Sequence, residues 1–473
     1  MAGLPSFFQR STDRIHRSHE FWNGRRKGFA IAVVMSIVML DLLFLANLSY
    51  LFGTVFNSGK RVHNFKVLMV DFDGGVIGQS VNGAYEQMKG NTFPTLVQHS
   101  TSEYPSEADV RKAVCKGNYW GAVYTHRDAS SRLSAALAGG DAATSYNPAD
   151  TITYIWNAVR YPAYASGNLQ SPLVQLAGAA AVVYGHLNGT QAAQSVNVSD
   201  AAAVQALLNP IQGSAAPIQP TNQGPRVFYN TVGMVMPILM NFFFVMAING
   251  ISTSMQFLSR LPRLDNYIIR MSLSLLFSFT ASLVMTGYTW AFKEDWAVTG
   301  SDFALTWMVL WLFMHINYYI YDFLTAFIPM QFIPFFVFTW IITNVASAVA
   351  PYELTPGFFK WGYALPAKEV YDVLTVIWSE GCADYNYRAL PILFAWWVVG
   401  TVASVFSIQH RCDCALRNEE AEKAKWERML IKGDEENNNQ NRGESQTRSG
   451  AGNADLEKGE SQSRTPSTRQ GSV

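Results

Sequence analysis

Charge is what this 473-residue chain has least of. Asp, Glu, Lys and Arg make up 15% of it, against about 25% in ordinary soluble domains. The 35 basic and 35 acidic residues cancel, so no nucleic-acid partner is indicated. Four cysteines are too few for a disulfide scaffold, and none has the spacing of a zinc site. The nucleotide-binding pattern G-x-x-x-x-G-K-[ST] is missing. Its nearest fragment, GTVFNSGKR at Gly53 to Arg61, has the wrong spacing and puts Arg61 where a hydroxyl must reach magnesium. A P-loop ATPase within this chain is therefore not expected. Any pumping needs a separate ATPase or an ion gradient. No cofactor, metal-ligand cluster or catalytic constellation is indicated.

What the chain has instead is long apolar runs, with aromatics at 14%. Crossing hydrocarbon takes about 20 mostly apolar residues, because lipid offers the backbone no hydrogen-bond partner. Six stretches qualify: Phe29 to Phe52, Phe228 to Ile251, Tyr267 to Phe292, Phe303 to Leu324, Phe327 to Ala350 and Ala389 to Ile408. The first is too long for a cleaved signal peptide, and no small-residue cleavage site follows before Lys60. Basic residues crowd before the first run (Arg10, Arg14, Arg17, Arg25, Arg26, Lys27), between the second and third (Arg260, Arg263) and after the sixth (Arg411, Arg417, Lys423). The positive-inside rule puts all three groups, and so both termini, in the cytoplasm.

The fold class expected is a polytopic α-helical membrane protein. Six transmembrane helices stand in a 1+5 arrangement, with an extracytoplasmic α/β domain inserted between helices 1 and 2. The expected divisions are a basic interfacial segment 1–27, helix 1 at 28–52, the outer domain 53–227, a five-helix bundle 228–408 with an outer re-entrant segment 351–388, and a cytoplasmic helix and disordered tail 409–473. In the outer domain, FKVLMVDFD, TLVQHST, YWGAVYTH and TITYIWNAV read as strands. IGQSVNGAYEQMKG, SEADVRKAVCKG and ASSRLSAALAGG read as helices between them, with Ser106 as an N-cap. The Ala-rich stretches after Tyr161 read as helices packed back on the sheet. IQGSAAPIQPTNQGP reads as a connector.

VLMVDFDGG, Val67 to Gly75, has the Asp-x-Asp order of phosphatases that use an aspartate nucleophile. The same order suits a strand-to-helix turn, where Gly74 and Gly75 supply permissive dihedrals and the carboxylates accept from free N–H groups. The enzyme reading also needs a phosphate-binding lysine and a second acidic cluster, and no motif for either follows. The chain is therefore expected not to be an enzyme.

Polar groups within apolar runs default to functional candidates. Asp41 lies mid-way in the first run. His315 and Asp322 lie seven apart in the fourth, on one helical face, with Asn317 nearby. They either line a pathway or hydrogen-bond between helices. Arg270, at the start of the third run, is expected to snorkel. Pro237, Pro329 and Pro334 imply kinks, and Trp361, Tyr363 and Trp378 suit the outer interface. Asn188 and Asn197 open glycosylation sequons, Asn188-Gly-Thr190 and Asn197-Val-Ser199. Cys115 and Cys382 would face outward, as a disulfide or as free thiols. Cys412 and Cys414 would face inward, as palmitoylation sites or unmodified thiols.

The basic FWNGRRKGF before the first run, the VLMVDFDGG turn and WGYALPAKEVYDVLTVIW between the fifth and sixth runs resemble the fungal nitrosoguanidine-resistance membrane protein family. The likeness covers residues 18 to 410. That family in turn resembles the permease part of type-2 ABC exporters and the phage-infection protein group. The resemblance implies a plasma-membrane protein tied to drug resistance, by export or by altered lipid distribution. It implies a homodimer and an ATPase supplied in trans, with the N-terminal segment contacting that ATPase or serving as an interfacial anchor. The alternative is a non-transporting scaffold or receptor whose outer domain binds extracellular ligands.

Overall fold

The computed structural model describes residues 18–220 and 222–451, with side chains as far as Lys432. The N-terminal segment expected to lie along the interface falls within the described residues only from Ser18 onward. Six helices of the described chain are long and apolar enough to cross a membrane. The first, α1 (Arg25–Thr54), begins with Arg25, Arg26 and Lys27 and carries one further charge, Asp41. It leads through Asn57, in the left-handed region, and a tight turn over Ser58–Asn64 into a globular α/β unit.

That unit holds a five-stranded sheet of order β2-β1-β3-β4-β5. Its strands are β1 (Lys66–Asp71), β2 (Thr95–His99), β3 (Gly121–Thr125), β4 (Ile152–Trp156) and β5 (Gly213–Ala215). All pairings are parallel except β3 with β4. β1 is buried on both faces over VLMV, as a central strand of a covered sheet must be. The helices between strands are α2 (Val76–Met88), α3 (Glu107–Cys115), α4 (Ala129–Ala138), the single turns α5 (Asp141–Thr144) and α6 (Pro162–Ala165), α7 (Ser171–Ser195) and α8 (Ala201–Leu208). Ser106 caps α3 as expected, its hydroxyl accepting from the Asp109 N–H at 3.3 Å. Val110 and Val114 of α3 cover Leu68, Val70 and Ala122 on one face. Residues of α2, α4 and α7 cover Val67, Met69 and Val123 on the other.

The stretch expected as a connector holds β5, and Ile218 bridges to Asn157 beyond it. Small residues make this edge strand possible: a Cβ at Gly213 would stand 2.7 Å from the Ala177 side chain of α7. Without aliphatic alternation the strand has no periodic signal to read.

The helical part comprises α9 (Val232–Ser254), α10 (Phe257–Arg260), α11 (Arg263–Ala291), α12 (Gly300–Phe327), α13 (Ile333–Ala348), α14 (Pro366–Trp378) and α15 (Asn386–Ala451). α12 is its hub, packed by α9, α11, α14 and α15. On α11, Ser274, Ser278, Ser282 and Thr286 recur every four residues and are all buried; small residues let neighbouring helix backbones approach closely. Pro237 lies inside α9, whereas Pro334 starts α13 and Pro329 precedes it. Two of the three expected kinks are therefore helix boundaries. Trp378 is core, not an interfacial anchor: it is 4% exposed and donates to Thr306 Oγ1 at 2.9 Å. The tail expected to lose structure from Gly433 continues as helix to Ala451. Extending an existing helix carries no nucleation cost, and no proline interrupts these residues.

The α/β unit and the bundle share one apolar core. It runs from Trp120 and Tyr161 to Tyr371 on α14 and on to Tyr229, Trp296 and Trp378. The Tyr371 hydroxyl accepts from the Tyr161 N–H at 2.9 Å. The sulfurs of Cys115, at the end of α3, and Cys382, just past α14, are bonded. α1 stands apart from this core and packs mainly on α13, through Phe44 against Phe338 and through Asn47 Nδ2 to Thr339 Oγ1 at 3.2 Å.

Candidate functional site

The polar residues of the apolar runs fall into three separate places. His315 and Asp322 both turn into the groove between α11 and α15, about 10 Å apart along α12 by helical rise. Asn317 turns the other way, accepting from Trp340 Nε1 of α13 at 2.8 Å and donating to its own helix at Phe313 O. Asp41 does not join them. It is exposed on α1, away from the buried Asn47 and Thr54 that mark the face toward α13. A single pathway through all four residues is therefore not what the fold builds.

His315 is held at both ring nitrogens. Trp397 Nε1 donates to Nδ1 at 3.0 Å, and Ser274 Oγ lies 3.3 Å from Nε2. An indole N–H can only donate, so Nδ1 accepts and Nε2 bears the proton. This histidine is a neutral interhelical brace.

Asp322 is the centre of an ionic cluster. Its Oδ1 lies 2.6 Å from Arg270 Nη2 and 3.5 Å from Arg411 Nη2. Arg270 also donates to Asn249 Oδ1 of α9 at 2.8 Å. Arg411 donates to the Asp322 carbonyl at 2.7 Å and to Thr325 Oγ1 at 2.6 Å. The three charged side chains are 4%, 2% and 9% exposed. Two guanidiniums face one carboxylate, leaving one positive charge uncompensated within the cluster. Arg270 Nε and Nη1 and Arg411 Nε meet no acceptor among the described residues. Arg270 does not snorkel. It sits two turns inside α11, because that helix begins at Arg263 rather than at the apolar run.

Arg411 also lines a cavity of about 400 Å³ bounded by Ser252, Gln256, Ser259, Asn418 and two carboxylates, Glu419 and Glu422. A second, mostly apolar cavity of about 270 Å³ lies among Phe228, Met234, Met285, Leu310 and Trp378. Ala326 lines the first cavity and Leu310 the second, sixteen residues apart on α12, so about 24 Å of helix separates the two. Packed rings fill the interval, with Phe244 stacked on Phe277 at 4.1 Å and Phe313 and Tyr318 fully buried.

A family model described as a protein of unknown function, DUF3533, matches residues 36–402. The chain belongs to the DUF3533 family. An uncharacterized endoplasmic reticulum membrane protein of Saccharomyces cerevisiae, YJR015W, is 26% identical over 172 residues, 35% of this chain and 33% of that relative. The chain thus matches about a third of the relative's length. No solved structure matches.

In this DUF3533 chain Asp71 and Asp73 are committed to the turn after β1. Asp71 Oδ1 accepts from Asp73 N at 3.1 Å, Gly74 N at 3.0 Å and the Thr125 hydroxyl. Asp73 accepts from Ser130 N at 2.7 Å, Gly75 N at 3.1 Å and the Ser130 hydroxyl. Gly74 takes φ +63°, and a Cβ at Gly78 would lie 2.0 Å from Asp71 Oδ2. Among the described residues no His, Cys, Asp and Glu group is placed to hold a metal. Of the sequon residues, Asn197 is exposed between α7 and α8, while Asn188 is half-buried within α7 and bonded to the Tyr184 hydroxyl at 3.1 Å. Cys412 is 2% exposed, against Asn266, and Cys414 is the more accessible of that pair.

Proposed function

We propose that this chain is the membrane-embedded, non-enzymatic part of a system that exports amphipathic toxicants or alters lipid distribution. In this reading the architecture is that of a type-2 permease. One helix precedes an extracytoplasmic α/β unit, five follow, and both termini are cytoplasmic. The protein resides in the plasma membrane, works as a homodimer, and takes its energy from an ATPase in trans. The resemblance to the nitrosoguanidine-resistance proteins supports the drug-resistance role. The yeast relative is instead an endoplasmic reticulum membrane protein, which makes that membrane the competing compartment.

The observation that carries the proposal is the Arg270–Asp322–Arg411 cluster. A surplus buried charge is costly as pure structure, and within a membrane bundle it is a functional candidate, here a seat for an anionic group of a ligand whose other end meets Glu419 and Glu422 on the cavity wall. Asp41 supports the dimer. A charged side chain at hydrocarbon depth costs about 3 kcal/mol when it faces lipid, and a second copy against the exposed face of α1 would remove that exposure. The test is accumulation of a fluorescent amphipathic compound in cells that lack the protein, express it, or express Arg411→Met at matched surface level. Export predicts higher accumulation in the first and third. Equal accumulation in all three would leave the scaffold or receptor reading, which the fully braced His315 favours.

A further inference from the structure

A second charged site lies beside the last turn of α1, between it and the segment that precedes α14. A cleft of about 470 Å³ is bounded there by Arg61, Glu353, Lys360 and Tyr363. It shares Tyr352, Glu353 and Tyr363 with a smaller cavity of about 190 Å³ that reaches Arg160 and Arg388. The two are one recess along the seam between the α/β unit and the bundle.

Its charges do not balance. Five cations line it: Arg61, Arg160, Lys360, Lys368 and Arg388. Three carboxylates answer them: Glu353, Asp372 and, beneath Arg388, Glu369. Lys368 pairs with Asp372, and Arg388 with Glu369 at 3.1 Å and with Asp372. Glu353 is turned to Trp120 Nε1, at 2.9 Å. Arg160, Arg61 and Lys360 make no ion pair among the described residues, and with Glu353 counted the recess keeps two positive charges in surplus. The Arg160 guanidinium is fixed all the same. It stacks over Trp120 at 3.4 Å and faces Tyr385 at 5.3 Å, which orients its N–H groups without consuming them. Arg61 is held by the Phe56 and Leu354 carbonyls.

The lip of the recess is apolar. Phe52 and Phe56, at the end of α1, are 71% and 65% exposed, and Phe358 and Trp361 beside them are 72% and 46% exposed. The turn Gly357–Ala364 is pressed onto α1, with Phe359 5.0 Å from Tyr50 and a Cβ at Gly53 falling 2.9 Å from that ring. Exposed aromatics at the end of a membrane-spanning helix sit at headgroup depth. The cations therefore open at the level of lipid phosphates, whichever leaflet that is.

We propose that this recess binds the phosphate of an anionic phospholipid, with Arg160, Arg61 and Lys360 as its donors and the aromatic lip against the acyl chains. The assignment stands whether or not the bundle transports anything. The test uses full-length protein in phosphatidylcholine nanodiscs containing tail-labelled fluorescent phosphatidylserine, and compares wild type with Arg160→Met/Lys360→Met. Retained thermal midpoint and retained Cys115–Cys382 bond show that the variant is folded. The expected result is saturable binding weakened about tenfold or more in the variant, in keeping with about 1 kcal/mol per basic group near a lipid surface. Inorganic phosphate should compete only weakly. Equal binding by a folded variant, or none by the wild type, overturns the site. Displacement by inorganic phosphate at concentrations comparable to the lipid overturns the lipid as its ligand. Should the variant not fold, Lys360→Met alone replaces it, since Lys360 is exposed; unchanged affinity there also overturns the site.

Discussion

Asp322→Ala is the perturbation whose consequence the bundle most directly dictates. The wild-type cluster holds two arginines and one carboxylate, a net charge of +1. Removing the carboxylate raises that to +2 and takes from Arg270 its contact at 2.6 Å, in a side chain only 4% exposed. Breaking a buried pair costs about 3–5 kcal/mol in soluble proteins. Here the lower end applies, about 3 kcal/mol, because Asn249 still accepts from Arg270 and the cavity beside Arg411 admits water. Arg411→Met acts in the opposite direction. It brings the cluster to neutrality and leaves Arg270 and Asp322 paired. The hydrogen bonds it removes are worth about 1 kcal/mol each, against a desolvation cost of several kcal/mol for the lost charge. Thermal unfolding of the purified full-length protein in detergent, followed by size-exclusion fluorescence, should therefore rank Asp322→Ala below wild type and Arg411→Met level with wild type or above it. Arg270→Met/Asp322→Leu should recover most of the loss. If Arg411→Met is as damaging as Asp322→Ala, the surplus charge is not destabilising, and the argument for a docking role falls with it.

Three further outcomes are expected. Cys115→Ser/Cys382→Ser opens a bond spanning 267 residues and should lower stability by about 2–4 kcal/mol, read as a lower unfolding midpoint that reductant no longer shifts; a midpoint equal to wild type would show that the shared core alone holds the two parts. Burial raises the carboxyl of Glu369 above its ordinary 4.5. Such a group holds its proton more tightly folded than unfolded, so its contribution is complete below about 4.5 and is lost as pH rises through the folded value; Glu369→Gln should flatten that part of the midpoint-against-pH curve, and an unchanged slope would refute the assignment. Asn197→Gln should abolish an endoglycosidase-sensitive gel shift, with Asn188→Gln changing it less because that residue lies within α7; a shift unchanged in Asn197→Gln would refute the assignment.

The parts of this fold that could be read in advance are those in which a single segment carries the whole signal. An apolar run of twenty residues has few ways to satisfy its backbone other than a helix in lipid, and VLMV and ITYIW bury both faces wherever they pair. β5 escaped because Gly213, Ser214 and Ala215 become a strand only through the surface that β4 and α7 offer them. The helical reach of α15 past Gly433 escaped because composition reports whether a segment nucleates structure, not whether a helix arrives from upstream. Arg270 and Arg411 were misplaced for a related reason. Counted from the apolar run each is a flank, but the helices extend beyond the runs, and that extra length carries both guanidiniums back onto Asp322.

The carboxylates make the same point about function. Asp71 stands in an order associated with phosphoryl transfer, and Asp322 in no motif at all. Yet Asp71 spends its Oδ1 on two backbone N–H groups of its own turn and on the hydroxyl of Thr125 on the neighbouring strand β3, with Gly78 keeping the space beside its other oxygen open. Those partners come from the turn itself and from the next strand, so the group is finished once the α/β unit folds. Asp322 is held by residues 52 and 89 positions away along the chain, and these bring more charge than it can neutralise. An unfinished electrostatic arrangement is where binding free energy remains available to a ligand. Such incompleteness is a property of assembled helices, and it can be located only after each carboxylate's partners have been counted.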